Sequence, residues 1–287
     1  KLTGDPIVAD EIELSTLNSI LGLHSKSGRW VTYNTPMDGV RRASAHDIVF
    51  QAREGSSELN CCSVNGPRGL GMVSDWALMR GKKGLCLNWY GHGEIKTHVR
   101  GTAVRILQKT EYPRHGEVTL QIIPDRPITF PLELRIPYWS HKTRISINGQ
   151  PITGVTPGTY FTIERQWKKQ DRIKVSIDMK THLWRGEKEC RNKVSYYRGP
   201  ILLAYDRKLN TLDPSELPTI DIRKSRTRMI DVDNTIVAMD IAVGNKKIRL
   251  CDFASAGDGG SPYLSWLKAS NAPSSKFSKR NPLRSTQ

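Results

Sequence analysis

The sequence predicts a mixed, mainly β chain in which a short helical segment precedes antiparallel β-sandwich domains. Three observations carry that reading. Ile7, Val8, Ile12, Leu17, Ile20 and Leu21 fall on one helical stripe near the start. After Gly81-Lys82-Lys83-Gly84 the apolar period switches from helical to two. From there short alternating segments recur between turn signals, which is the spacing of a sandwich.

The first helix is predicted with Asp5 as its cap, Pro6 in its first turn and Gly22 at its end. Residues 25–58 read as irregular, with a turn at "YNTPMDG". A second helix is predicted just after Cys61-Cys62, with Pro67 in its first turn and Leu70, Val73, Trp76 and Ala77 following at helical spacing to about Met79. "GLCLNWY" reads as a buried strand, and "VRIL", "VTLQI", "LELRI", "RISI", "YFTIE" and "RIKVSI" alternate apolar with polar residues. Asn148-Gly149 is a two-residue hairpin signal, because both positions tolerate positive φ. Trp139 and Trp167 are expected in the core rather than as sugar platforms. A second β-rich segment starts near Val194, with Gly199-Pro200 as a bend in "VSYYRGPILLAYD", further strands in "TIVAMDIAV" and "KKIRLCDF", and completion of a sandwich pair. "ASAGDGGSPY" is a Gly-rich loop without the lysine and serine pattern of a phosphate-binding loop.

Composition narrows the function classes. At 287 residues with 37% hydrophobic content the chain is long enough for two domains with sizeable cores, and its mean hydropathy of −0.48 reads as globular. No apolar run approaches the roughly 18–20 residues of a membrane span. The net charge of +16 favours attraction to polyanions, yet lysines and arginines alternate with acids through Glu164 to Arg191, as on solvated strand faces. Only Lys276 to Arg284 is a basic run, among Ser, Asn and Pro, and it reads as a disordered tail. No finger, recognition helix or aromatic platform accompanies the charge, so specific nucleic-acid binding is not expected.

The five cysteines, Cys61, Cys62, Cys86, Cys190 and Cys251, show no disulfide-framework spacing, which favours a reducing, cytoplasmic setting or a metal site. Lys1 stands inside what reads as a helix, so the chain is expected to be a fragment, and an export signal would lie upstream of it. Adjacent Cys61 and Cys62 reach disulfide geometry only through a strained ring, which leaves reduced thiols or metal thiolates. A helix start beside them would aim N–H groups and a positive dipole end at the sulfurs, lowering a thiol pKa. Two inert core thiols are the competing reading, since cysteine is among the most buried residue types.

The segment "NCCSVNGPRGL" resembles the Cys-Cys-x-x-Asn-x-x-Arg signature of glycoside hydrolase family 127, the β-L-arabinofuranosidase-like enzymes. The likeness continues in order through "QKTEYPRHGEVTLQI", "LELRIPYWS", "ISINGQPI", "GTYFTIERQWKKQDRIKVSIDM" and "YYRGPILLAYD", from Gly4 to about Asp206, and weakly through "LCDFASAGDGGSPYLSWL". It implies that the two helices are the terminal pieces of an incomplete (α/α)6 barrel. The implied organisation is a barrel remnant over 1–82, a first β-sandwich over 83–183, a second β-rich sandwich domain over 184–271 and the basic tail over 272–287.

The resemblance further implies retaining hydrolysis of an L-arabinofuranoside-type glycan with a cysteine nucleophile bound at zinc. Cys61 matches the nucleophile and a zinc ligand, and Cys62 a second ligand. A Glu-x-Cys pair completing the metal shell and the acid/base glutamate would lie upstream, because no Glu-x-Cys occurs here. Lys188-Glu189-Cys190 is the nearest imitation, and Glu58 reads as a loop carboxylate. Tyr33 matches a position from which a hydroxyl would reach the sugar, with buried packing as its other reading. Asn65 and Arg68 match signature positions and are read as structuring the loop by hydrogen bonds. Ser63-Val64 replace the prolines that often follow the cysteine pair in the family, which changes how the loop is held. A chain of this kind, lacking its acid and part of its metal shell, is expected to be inactive alone. A non-catalytic β-sandwich module that binds carbohydrate, or serves as structural support, is the alternative.

Overall fold

The computed structural model describes residues 4–43 and 61–274. Two compact units divide the chain, one comprising residues 1–13 and 71–180, the other residues 14–70 and 181–287. Glu58 and residues 275–287 of the expected tail lie outside the described residues.

The first unit holds two sheets. Four strands run in the order Thr159–Trp167, Ile128–Ile136, Leu85–Leu87 and Leu78–Arg80. Six run in the order Gly93–Val99, Thr102–Thr110, Glu117–Pro124, Arg172–Ser176, Arg144–Ile147 and Gln150–Ile152. Alternation along each strand decides which side chains are buried: Val104, Ile106, Val118, Leu120, Ile122, Ile173 and Val175 are all fully inaccessible. Leu132, Leu134, Ile136 and Trp167 from the smaller sheet are equally buried. Trp139 and Trp167 both sit in the core, and the Trp167 indole donates to the Phe130 carbonyl at 2.9 Å, satisfying its one polar atom.

Asn148 (φ 51°) and Gly149 (φ 85°) make the expected tight turn between Arg144–Ile147 and Gln150–Ile152. Asn148 fixes it further, donating to Asp171 Oδ1 at 2.7 Å and accepting from the Arg172 N–H at 2.9 Å. The sheets are not wholly antiparallel. Leu85–Leu87, buried along its whole length, pairs parallel to Ile128–Ile136 and antiparallel to Leu78–Arg80.

Below this sandwich the helix Pro6–Leu14 buries two acids, Asp10 and Glu13, against Arg135. All three side chains are completely inaccessible. Arg135 ion-pairs with Asp10 and donates to Glu13 Oε1 at 2.6 Å and Oε2 at 3.1 Å. Its Nε donates to the Asn88 carbonyl at 2.6 Å. Tyr112 donates to Glu13 Oε1 at 2.8 Å, and the Tyr138 N–H to Asp10 Oδ2 at 3.1 Å. Two carboxylates against one guanidinium leave a formal excess of one negative charge. Burial pushes the Asp10 carboxyl up to about 6 even though Arg135 pulls it down.

In the second unit the strands join one branched ten-stranded sheet. At its centre is Ile201–Asp206, whose six residues are all buried and which is paired along both edges, to Lys193–Arg198 and then Tyr263–Leu264 along one and to Lys246–Asp252 along the other. Asp38–Gly39 adds to Tyr263–Leu264, and Ile220–Asp221 pairs parallel to Leu267–Ser270. The Gly-rich loop is wired to two strand-end aspartates. Asp206 accepts from the Gly257 N–H at 2.9 Å and the Ser261 hydroxyl at 2.6 Å, and Asp252 from the Ser255 N–H at 2.9 Å.

The first helical segment does not stop at Gly22. It continues through a π-helical turn, Ser15–Ile20, and ends with Leu21–Leu23. Buried Asn18 explains the persistence: it donates to the Leu14 and Pro200 carbonyls and accepts from the Leu202 N–H at 2.8 Å, so helix and sheet share one side chain. Gly22 is small for a packing reason instead, since a Cβ there would stand 3.0 Å from the Arg41 guanidinium. Arg41 itself is buried over the Phe253 and Tyr263 rings and donates to the Phe253 and Ala254 carbonyls.

Candidate functional site

The paired cysteines lie within the helix Cys61–Gly71, in its first described turn, and not ahead of it. Pro67 therefore falls in the helix interior, not in a first turn. Its missing N–H withdraws the hydrogen bond that would return to the Ser63 carbonyl. The next segment, Val73–Ala77, is a separate short helix, and Leu78–Arg80 is already a strand, so helical structure ends before Met79.

What seats the helix is glycine. A Cβ at Gly66 would come 2.5 Å from Leu23 Cδ2 and 3.0 Å from the His24 ring, and one at Gly69 would come 2.7 Å from Ile20 Cδ1. These two glycines, three apart, let the helix lie against residues 20–24 at a distance no larger side chain permits. Gly66→Ala is thus expected to lower stability by about 1–3 kcal/mol through overpacking. Gly71→Ala, where a Cβ would meet nothing within 4 Å, serves as the control and should be neutral in the same thermal denaturation series.

Cys61 is exposed and Cys62 half-buried, and their sulfurs stand 3.8 Å apart without a disulfide. Asn65 donates its side-chain N–H to the Cys61 carbonyl at 2.9 Å. Arg68 lies in the last turn, where a cation complements the helix dipole. Tyr33 is 46% exposed.

The 3.8 Å separation matches one edge of a tetrahedral zinc shell, in which two sulfurs about 2.3 Å from the metal lie about 3.8 Å from each other. Cys61 and Cys62 thus fit as two ligands. No group of three or more His, Cys, Asp or Glu side chains arranged for a metal occurs among the described residues. The other thiols are different in kind. Burial, then the hydrogen bond to Glu133 Oε2 at 3.0 Å, pushes Cys86 up to about 12 and keeps it protonated. Burial likewise holds buried Cys251 well above the ordinary thiol range, with Asp252 adding to the effect.

Sequence reasoning missed two concave features. A largely apolar cleft of about 190 Å³ in the first unit is bordered by Val8, Ile12, Trp76, Met79, Trp89 and Tyr160, with the Tyr160 hydroxyl donating to Asn88 Oδ1 at 2.5 Å. In the second unit Arg185, Lys193 and Lys268 line another of about 510 Å³. Within "GLCLNWY" the signal for the first was Asn88-Trp89, a polar and an aromatic residue after a buried run.

No helix of the described residues is long and apolar enough to cross a membrane. Residues 84–179 match the family model described as beta-L-arabinofuranosidase, GH127 middle domain. No curated protein sequence matches the chain. Among solved structures it is similar to a glycoside hydrolase (23% identity, TM-score 0.78), covering 94% of this chain and 49% of that one. A GH127 beta-L-arabinofuranosidase from Geobacillus stearothermophilus T6 is similar at 22% identity and TM-score 0.78, covering 94% of this chain and 47% of that one. A further GH127 beta-arabinofuranosidase gives 19% identity and TM-score 0.79, covering 94% and 46% respectively. The chain therefore spans about half the length of the structures it matches.

Proposed function

Residues 84–179 match the GH127 middle domain, and from that premise we propose that the chain belongs to glycoside hydrolase family 127 and is part of a zinc-dependent retaining glycosidase acting on terminal L-arabinofuranosides. The observation that carries this reading is the sulfur pair, one thiol exposed and the other half-buried, 3.8 Å apart at the described start of a helix. Cys61, the more accessible of the two, is the nucleophile. Its sulfur bonds to the anomeric carbon as the glycosidic C–O bond breaks, and the departing oxygen takes a proton from a carboxylic acid outside these residues. Water then attacks the same carbon, giving its proton back to the carboxylate left by the first step, the C–S bond breaks to restore the thiolate, and two inversions give net retention.

Zinc, when bound by Cys61 and Cys62 with ligands from outside these residues, would favour the thiolate over the thiol. Asn65 holds the first turn of the helix by its bond to the Cys61 carbonyl, and Gly66 and Gly69 hold the helix against its neighbour, so the sulfurs keep their spacing. In this reading the helices belong to the (α/α)6 barrel of the complete enzyme. The 287 residues alone turn over no glycoside at a useful rate, because a proton donor is typically worth about 10²–10⁴-fold.

Metal content tests the site without relying on turnover. The complete enzyme should contain one tightly held zinc that protects both thiols from a thiol reagent, and Cys62→Ser should lose the metal and the protection together. Equal zinc content in wild type and Cys62→Ser, or full thiol reactivity in the zinc-loaded protein, would contradict the assignment.

A further inference from the structure

We propose that the cleft lined by Arg185, Lys193 and Lys268 in the second unit is a binding site for a carboxylate-bearing oligosaccharide, of the oligouronate class. It is about 510 Å³ in volume, and Asn192, Thr219, Ser270 and Asn271 complete its polar wall. No aspartate or glutamate is among its lining residues. Register supplies the second observation. Lys193 and Lys268 stand directly opposite each other on antiparallel strands, a placement in which like charges repel and destabilise the pairing. Neither lysine is seen ion-paired to an acid among the described residues. An anion seated between them converts that repulsion into attraction on both sides.

The remaining groups select among anions. Asn192, Asn271, Ser270 and Thr219 offer amides and hydroxyls that suit the hydroxyls of a sugar ring, and the Asn271 amide is oriented by donation to Asp221 Oδ1 at 3.1 Å. No aromatic side chain lines the cleft, so the base stacking that favours single-stranded nucleic acid is missing. The net charge of +16 adds a long-range pull on any polyanionic glycan. The choice of a sugar acid rests on the glycosidase reading, while the site itself stands on the cleft and the strand register.

Calorimetric titration of the 287-residue chain with trigalacturonate and with neutral galactotriose separates charge from sugar. Trigalacturonate is expected to bind saturably, more weakly as salt rises, and galactotriose at least tenfold more weakly. Lys193→Gln/Lys268→Gln should weaken trigalacturonate binding at least tenfold while its Tm, freed of the repulsion, does not fall. Lys268→Gln alone, at an exposed position, should show the same direction and guards against a misfolded double variant. Absence of saturable trigalacturonate binding, or undiminished binding by both variants, would overturn the proposal. So would a short single-stranded oligonucleotide binding as tightly through the same lysines. Failure here leaves the zinc content of the complete enzyme untouched, and failure of the zinc assignment leaves these titrations untouched.

Discussion

Arg135→Leu is expected to destabilise the first unit by about 3–5 kcal/mol, because it strands two buried carboxylates without their counter-charge. Asp10 and Glu13 are both wholly inaccessible and both depend on Arg135, so neither relaxes into water when the guanidinium goes. Urea unfolding at neutral pH measures the loss. It should shrink in mild acid, where the stranded Asp10 carboxyl takes up a proton and no longer needs a cation. A variant as stable as wild type at pH 7 would show that the burial is not what couples these groups.

The same cluster gives the wild-type protein a pH slope. The Asp10 carboxyl is raised from the usual 3.8 to about 6 by burial, with Arg135 opposing. A carboxyl raised in the folded state binds more protons folded than unfolded. Its stabilising effect is therefore fully present below about pH 4 and is lost as pH rises through about 6, amounting to about 3 kcal/mol at most. Asp10→Asn should remove that slope, and an unchanged slope in the variant would assign it to other groups.

If Cys61 is the proposed nucleophile, Cys61→Ala in the complete enzyme should lower kcat on a synthetic arabinofuranoside by on the order of 10⁴-fold or more, as loss of a nucleophile does elsewhere. KM should change far less, because the exposed thiol contributes to the bond-making step more than to holding the sugar. Trapping discriminates further: a slow substrate should leave a sugar on wild-type Cys61 detectable by mass, and none on the alanine variant. Unchanged kcat in Cys61→Ala would remove the nucleophile assignment outright.

Local signals were the legible part of this molecule. Period-two alternation located "VTLQI", "LELRI" and "RIKVSI" as strands, and Asn148-Gly149 located a hairpin, because both are decided by neighbouring residues in the chain. Trp139 and Trp167 were placed in the core because a large apolar surface overrides most other demands. The start of the second helix was misread, with Pro67 in its interior and not in a first turn. Gly22 answers to Arg41, a residue 19 positions on, and Gly66 to Leu23 and His24, so their roles are invisible to any local window.

By itself the sequence determined the strand-rich class, the hairpin, the motif order of the family and the candidacy of Cys61 with Cys62. Only the tertiary structure decided that the sulfurs lie 3.8 Å apart with Cys61 exposed, that the strands of the second unit join in one sheet, and that Lys193 faces Lys268. It alone brought Arg135 to two acids more than 120 positions away. Alternation and turn chemistry depend on residues a few places apart, whereas register, close helix packing and charge pairing depend on groups that meet only once the backbone has closed on itself.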